Sequence, residues 1–135
     1  MTDDVVLGKA QVIGRCLARV AEEYASDPEN LEDIRRQDSV VLNVQRACEA
    51  AIDLAMHVVS DRRWGLPANS RDAFDLVAAH GVVDRALATN LKAMVGFRNL
   101  CVHNYQDIDV SLLRDVLDVH LSDLRKFAQA VFQYP

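Results

Sequence analysis

Three side chains that can act on a phosphate lie close together in the stretch RNLCVHNY, namely Arg98, His103 and Tyr105. Cleavage of RNA without a metal ion needs a base for the 2′-hydroxyl proton, an acid for the leaving oxygen and a fixed cation for the transition state. A histidine titrates near neutral pH and serves either proton role, whereas the planar guanidinium of an arginine fits phosphate oxygens. Arg98 and His103 are therefore the candidate catalytic residues, and Tyr105 is a candidate for positioning a phosphate.

Arg98 stands where the sequence pattern calls for a core residue. Leu87, Leu91 and Met94 recur at three- and four-residue spacing, and Arg98 is the next position of that stripe. An arginine there must be paired, exposed at a cleft or shared with a second chain, because an unpaired buried charge is costly. By spacing alone, an ion-paired, capping or core-edge set remains an alternative to a catalytic one.

Helix geometry limits how the three side chains can meet. At about 100° per residue, Tyr105 falls within roughly 20° of Arg98, whereas His103 falls about 140° away. We therefore expect Arg98 and Tyr105 to share a helix face. For Arg98 and His103 to act on one phosphate, either the helix breaks near His103 or the two residues come from different chains across a two-fold dimer. Asp107 or Asp109, as the cap of a following helix, is compatible with such a break.

The first two elements that must carry this cluster are predicted to be long helices. Apolar residues from Val5 to Tyr24 form a helical stripe that ends before the SDPEN turn. A second stripe begins after Asp38 or Ser39, either of which is a plausible N-cap, and continues to Val59 for about six turns.

Three further helices follow, and no strand pattern is present. Ser70 is predicted to cap a short helix that stops at His80-Gly81, and Asp84 to cap the helix that runs into the cluster. A last stripe runs over residues 113–131. The pattern predicts an all-α, antiparallel up-down bundle of four long helices and one short one, in a single domain over residues 1–135. The alternative is a helical module within a larger assembly.

The charge distribution favours an anionic ligand only near the cluster. The formal net charge is -5, which argues weakly against a nucleic-acid partner. Residues 84–105 differ from the other segments, because Arg85, Lys92 and Arg98 face only Asp84 there. This local excess of positive charge makes the cluster the expected phosphate site.

Cysteine usage and the N-terminus indicate a cytoplasmic protein without membrane contact. Cys16, Cys48 and Cys101 are odd in number and lack CxxC spacing, so neither a disulfide framework nor a zinc site is indicated. The N-terminus is acidic and lacks a signal peptide's apolar run, and Asp53 interrupts the most apolar stretch. Cys101 is expected to be a packed, inert thiol.

The remaining polar residues are weaker candidates for function. The spacing of His57, His80 and His120 does not resemble a metal-ligand set, so no metal is expected. Arg62-Arg63 beside Trp64 could stack on a nucleobase, but a solvated helix end explains the three residues more simply.

The RNLCVHNY cluster and the longer stretches around and before it identify a family resemblance. RNLCVHNY, VLNVQRACEAAIDLAMHVV, GLPANSRDAFDLVAAHGVV and LKAMVGFRNLCVHNY closely resemble the HepT family, the toxin half of HEPN/MNT (type VII-like) toxin–antitoxin pairs. The likeness covers nearly the whole chain. The family signature Arg-x4-His-x-Tyr is matched by Arg98, His103 and Tyr105, and the polar residue preferred after the arginine by Asn99. The resemblance implies a dimeric, metal-independent endoribonuclease with a composite cleft between protomers.

The resemblance also implies a control mechanism. The cognate MNT antitoxin, a minimal nucleotidyltransferase, would transfer AMP from ATP onto the motif tyrosine, here Tyr105. ATP would then be the donor used by the partner, and the chain itself would need no cofactor. An AMP group on Tyr105 would place a phosphate that can pair with Arg98 and occupy the substrate site.

Two alternatives to a toxin ribonuclease stay open at this point. In the first, the chain is a non-catalytic helical partner that serves the nucleotidyltransferase as acceptor and docking surface. In the second, it is a structural dimer in which Arg98 closes a buried ion pair. Neither the RNA class, messenger or transfer, nor the cleavage position follows from the sequence.

Overall fold

The computed structural model describes residues 3–135, and all regular structure in that range is helical. Six α-helices are present: α1 (Asp4–Tyr24), α2 (Ile34–Arg62), α3 (Ser70–Ala79), α4 (Arg85–His103), α5 (Val110–Asp115) and α6 (Leu121–Gln133). The π turn Val116–His120 joins α5 to α6, and 3-10 turns occupy Pro28–Glu32 and Tyr105–Asp107. Counting α5, the π turn and α6 as one long helix, the prediction of four long helices and one short one is confirmed.

The helices enclose one continuous apolar core. α1 packs along α2, α3 packs against α2 and α4, and α6 closes the bundle against α1, α2 and α4. Every α-helix contributes to the same buried cluster, with Phe74 of α3 meeting Phe127 of α6 edge-to-face at 5.3 Å between ring centroids. α4 is therefore held from three sides, which fixes the helix that carries the candidate site. Each helix of residues 3–135 is too short or too polar to cross a bilayer.

Two of the predicted helix caps are confirmed and two are wrong. Asp84 caps α4 by accepting a hydrogen bond from the backbone N–H of Leu87 at 2.7 Å. Asp109, one of the two residues expected to cap the next helix, caps α5 by accepting from the N–H of Leu112 at 2.7 Å. The short helix also stops as predicted at His80, and Gly81 follows with a φ of 79° that favours glycine.

The start of α2 was predicted too late in the chain. α2 begins at Ile34, and its cap is Asp33, whose carboxylate accepts from the N–H of Arg35 at 2.9 Å. Asp38 and Ser39 lie inside the helix instead of capping it. The first turn of α2 is polar apart from Ile34, which is 71% exposed, so it adds no buried position to the apolar stripe.

The cap of α3 lies one residue before the predicted one. Asn69 has an extended backbone, and its side chain accepts from the N–H of Asp72 at 3.0 Å, whereas Ser70 is the first helical residue. Asparagine and serine are about equally good caps, so the sequence did not separate the two neighbours. Because Asn69 caps α3, the Ser70 hydroxyl is available to another partner.

Candidate active site

A single continuous helix carries Arg98, Asn99 and His103, since α4 runs from Arg85 to His103 without interruption. The directions in which Arg98 and His103 leave the helix axis therefore differ by about 140°. The helix does end near His103, and a break there was one of the two ways in which Arg98 and His103 could act on one phosphate. The break follows both residues, however, so it does not turn His103 toward the Arg98 face.

The prediction that Tyr105 shares a helix face with Arg98 is wrong. Asn104 leaves the helical region with φ -140° and ψ 49°, although its N–H still donates to the carbonyl oxygen of Leu100 at 2.9 Å. Tyr105 begins the separate 3-10 turn Tyr105–Asp107. The helical angle of about 20° between the two residues does not apply, because the chain is no longer α-helical at Tyr105.

Arg98 is half-buried and is held by uncharged partners. Its Nε donates to Oδ1 of Asn99 at 2.9 Å, and its Nη2 donates to Oγ of Ser70 at 3.4 Å. Among residues 3–135, Arg98 forms no ion pair. The Arg98 guanidinium is therefore oriented without being neutralised, which leaves its charge for an anion from outside this chain.

The other two cations of the positive segment are already paired. Arg85 and Lys92 both contact the carboxylate of Asp75, at 2.9 Å and 3.1 Å. Hydrogen bonds from these two cations lower the pKa of Asp75 below its ordinary value. The positive charge expected over residues 84–105 is thus reduced in the fold to that of Arg98.

His103 is exposed at the last position of α4. Its imidazole forms no hydrogen bond or ion pair with the described part of the chain, residues 3–135. A histidine that is not fixed by a partner can both accept and donate a proton to a ligand. His103 therefore has the chemistry and the exposure that the predicted role requires.

The hydroxyl of Tyr105 contacts the carboxylate of Asp38, a residue expected to cap α2. Its Oη donates to Oδ1 of Asp38 on α2 at 2.5 Å, while 44% of the tyrosine remains exposed. Burial, followed by the hydrogen bond to Asp38 and the charge of that carboxylate, raises the pKa of Tyr105 to about 12. The phenol therefore keeps its proton at neutral pH, with an acceptor for that proton in contact.

Asp38 and Ser70 are the site residues that sequence reasoning missed. Asp38 is 67 residues from Tyr105 and Ser70 is 28 residues from Arg98. Both were visible only as candidate helix caps. No local signal could have found either contact, because each depends on how α2 and α3 pack beside the end of α4.

The thiol within the cluster is buried, as expected for a packed cysteine. Cys101 is buried, and burial raises its pKa to about 11. Cys48 lies nearby with a pKa that burial also raises, and both thiols are free. A thiol with a raised pKa is a poor nucleophile at neutral pH.

Trp64, the aromatic residue beside Arg62 and Arg63, already packs against another ring. Trp64 stacks on His80 with 4.2 Å between ring centroids and an interplanar angle of 4°. Arg62 lies over the ring of Tyr134 and donates to the carbonyl oxygen of Pro135 at 2.9 Å. These contacts favour a packed helix end over a nucleobase platform. No group of three or more possible metal ligands occurs within residues 3–135.

A family model described as ribonuclease HepT-like matches residues 13–131. The chain belongs to the HepT-like family. The mRNA nuclease HepT of Shewanella oneidensis is 38% identical to this HepT-like chain over 129 residues, which cover 96% of the chain and 97% of that protein. The tRNA nuclease HepT of Aphanizomenon flos-aquae is 27% identical over 106 residues, covering 78% of the chain and 72% of that protein.

Solved structures share the fold of this HepT-like chain over almost its whole length. A tri-AMPylated Shewanella oneidensis HEPN toxin in complex with MNT antitoxin has a TM-score of 0.92 and 37% identity, with 98% of this chain and 100% of that chain covered. A toxin–antitoxin structure with AMP-PNP has a TM-score of 0.90 and 35% identity over the same shares. The predicted resemblance to HepT toxins is confirmed.

Proposed function

We propose that this protein is the toxin of a HEPN/MNT toxin–antitoxin pair and acts as a metal-independent endoribonuclease. The single observation that carries the proposal is the state of Arg98, whose charge is fixed by Asn99 and Ser70 and is neutralised by no carboxylate of residues 3–135. Membership of a ribonuclease family and relatives named as nucleases support the same function. We place the activity in the cytoplasm.

The proposed reaction needs only side chains of this chain. The 2′-oxygen attacks the phosphorus, the bond from phosphorus to the 5′-oxygen breaks, and a cyclic phosphate remains. His103 takes the 2′-hydroxyl proton or returns a proton to the leaving 5′-oxygen, while Arg98 binds the non-bridging oxygens as negative charge builds on them. Asn99 keeps the guanidinium in position, and no metal or cofactor takes part.

A two-fold dimer gives this reaction a suitable cleft. Within one protomer, Arg98 and His103 leave α4 about 140° apart, so a phosphate held by one arginine can be served by the histidine of a second copy. Two copies at one cleft would also supply separate histidines as base and acid, and twice the positive charge. This arrangement overcomes the repulsion of RNA by a protein of net charge -5.

Cleavage by purified protein tests the catalytic proposal. Total RNA and transfer RNA are incubated in EDTA with wild type, Arg98→Ala and His103→Ala, and intact mass is recorded for each sample. We expect cleavage by unmodified wild type and a loss of about a hundredfold or more in each variant, because each removes a transition-state contact or a proton carrier. His57→Ala is the control, because His57 pairs with Asp3 and not with the site.

The same experiment separates the toxin from the alternative of a non-catalytic partner. If folded, unmodified wild type cuts no RNA, the chain is the acceptor and docking subunit of a nucleotidyltransferase. If His103→Ala cuts as fast as wild type, His103 is not the proton-transfer residue. The comparison of total RNA with transfer RNA also addresses the substrate, since one named relative is an mRNA nuclease and the other a tRNA nuclease.

We propose further that an MNT antitoxin silences the protein by transferring AMP from ATP to Tyr105. The phenol oxygen would form a bond to the α-phosphorus, pyrophosphate would leave, and Asp38 would take the phenolic proton across the existing hydrogen bond. The partial exposure of Tyr105 makes this oxygen reachable. The AMPylated toxin among the similar structures supports the modification.

Mass spectrometry tests the modification. Wild type incubated with the antitoxin and ATP should gain AMP at Tyr105 and lose RNA cleavage, whereas Tyr105→Phe should gain none there. Tyr134→Phe is the control, because its hydroxyl bonds to the carbonyl oxygen of His80 in another part of the bundle. A Tyr105→Phe variant that is modified and silenced like wild type would show that another residue is the acceptor.

A further inference from the structure

A groove with three arginines lies on the surface formed by α1 and α2. It encloses about 370 Å³ and is lined by Val12, Arg15, Cys16, Arg19, Asn43 and Arg46. The three arginines are exposed, and α1 and α2 pack along each other, so the groove follows the line where the two helices meet. We call it the arginine groove.

The arginine groove carries an excess of positive charge. Arg19 pairs with Glu22 at 3.1 Å, and both of these side chains are mostly exposed. Arg15 and Arg46 form neither an ion pair nor a hydrogen bond with any residue of the range 3–135. Three guanidinium groups thus face one paired carboxylate, on a protein whose formal net charge is -5.

The groove is connected to the candidate active site through α2. Asp38, which holds the hydroxyl of Tyr105, lies eight residues before Arg46 on the same helix, a rise of about 12 Å. In the sequence Asn43 lies between them, about 140° around the helix from Asp38 and about 60° from Arg46. Its side-chain amide is anchored by donating to the carbonyl oxygen of Ser39 at 2.8 Å. A strand of a few nucleotides is long enough to contact both the candidate active site and the arginine groove.

We propose that the arginine groove binds the sugar-phosphate backbone of the RNA substrate, away from the phosphate that is cut. The inference rests on the proposed ribonuclease function. Guanidinium groups bind phosphate oxygens through paired hydrogen bonds, and repeated phosphates match repeated arginines along a groove. The acidic remainder of the surface repels RNA, so a cationic groove beside the site gives the strand a defined path.

An acidic surface of a partner protein is the competing occupant. The observations favour RNA because the groove lies within reach of Tyr105 along α2, and because Asn43 offers an uncharged amide beside the arginines. Nucleic-acid contacts to the backbone commonly combine arginine with such amides. Complex formation with the antitoxin is therefore measured in the same variants.

Binding in a His103→Ala background tests the arginine groove without cleavage. The probe is a single-stranded oligonucleotide long enough to span both places, and the variant is Arg15→Gln with Arg46→Gln. We expect its affinity to fall by about tenfold at low salt, and the slope of log K against log salt to fall by about 1.4, since each single-strand phosphate contact contributes about 0.7. The control is Arg63→Gln with Arg125→Gln, which removes the same charge from exposed positions elsewhere.

Cleavage assays with His103 intact separate this inference from the function on which it rests. The groove variant should raise KM for long RNA and leave cleavage of a dinucleotide unchanged, because a dinucleotide does not reach the groove. If wild type cuts RNA but the groove variant and its control bind and cut alike, the inference is wrong. If the groove variant keeps RNA binding and loses the antitoxin, the groove binds protein. If wild type cuts no RNA, the proposed function fails, and equal RNA binding by variant and control then overturns the inference as well.

Discussion

Arg98 keeps a usable charge because its partners offer oxygen atoms without negative charge. Asn99 and Ser70 orient the guanidinium, whereas Arg85 and Lys92 form ion pairs with Asp75. At the residue scale, the sequence identified Arg98 and His103 as candidates and predicted that one helix, α4, carries them. It could not predict their partners, because Asp38 and Ser70 meet the site only through packing between helices.

The pKa of Tyr105 provides a residue-scale prediction. Asp38→Asn removes a negative charge and weakens the hydrogen bond, so the pKa of Tyr105 should fall from about 12 toward its ordinary value of 10. It should not fall all the way, because burial contributes most to the shift. An ultraviolet titration of the tyrosines measures this change, and Tyr105→Phe identifies the transition.

The same raised pKa makes a small contribution to stability. The folded state holds the phenolic proton more tightly than the unfolded chain, so this contribution is fully present below pH 10 and is lost as pH rises to about 12.

Asp107→Asn, in the same turn as Tyr105, is the control for the ultraviolet titration and should leave the Tyr105 transition in place. If the titration of Asp38→Asn superimposes on that of wild type, Asp38 does not raise the pKa of Tyr105.

At the scale of elements, capping separates what the sequence could predict from what it could not. Asp84 and Asp109 stand directly before strongly periodic helices and were identified. Asp33 precedes a polar turn without a buried position, and Asn69 has an equally suitable neighbour. The apolar stripe did not predict the π turn Val116–His120. In this turn the N–H of Leu121 donates to the carbonyl oxygen of Val116.

The cap of α4 supports a prediction at this scale. Asp84→Ala should lower the free energy of unfolding by about 1 kcal/mol, because an N–H at the start of α4 loses its acceptor. Urea denaturation measures the loss. RNA cleavage per folded molecule should not change, since the cap lies at the opposite end of α4 from His103.

A surface aspartate provides the comparison for that loss. Asp61→Ala changes an exposed residue near the end of α2 and should alter the free energy of unfolding by less than about 0.5 kcal/mol. Equal losses in the two variants would mean that removal of negative charge, and not the cap, determines the effect.

At the scale of the whole molecule, one core connects elements that are distant in sequence. Phe74 and Phe127 are both almost fully buried and join α3 to α6. The all-helical class followed from periodicity alone, because the buried positions recur with the helical period. The pairing of α3 with α6 did not follow, since periodicity indicates which face is buried but not which helix covers it.

Removal of one ring of this pair tests the core. Phe127→Ala should lower the free energy of unfolding by about 3–5 kcal/mol, because it leaves a cavity and removes an aromatic contact. Phe132→Ala, at a partly buried position on the same helix, should cost less. Calorimetry should show a single transition for wild type, as the prediction of one domain over residues 1–135 requires. Two separated transitions would contradict that prediction.

α4 ends at His103, and only Asn104 separates it from the turn that carries Tyr105, which has a consequence for inheritance. Changes of length or sequence in the turn Tyr105–Asp107 can displace the tyrosine while α4 keeps Arg98 and His103 in place. Under the proposed function, such a change kills the cell that carries it. RNA cleavage continues, and AMP can no longer be transferred to Tyr105 to stop it. Survivors selected after loss of the antitoxin gene should therefore carry mutations in α4 or its supports, and lineages that retain the pair should tolerate few alterations in the turn.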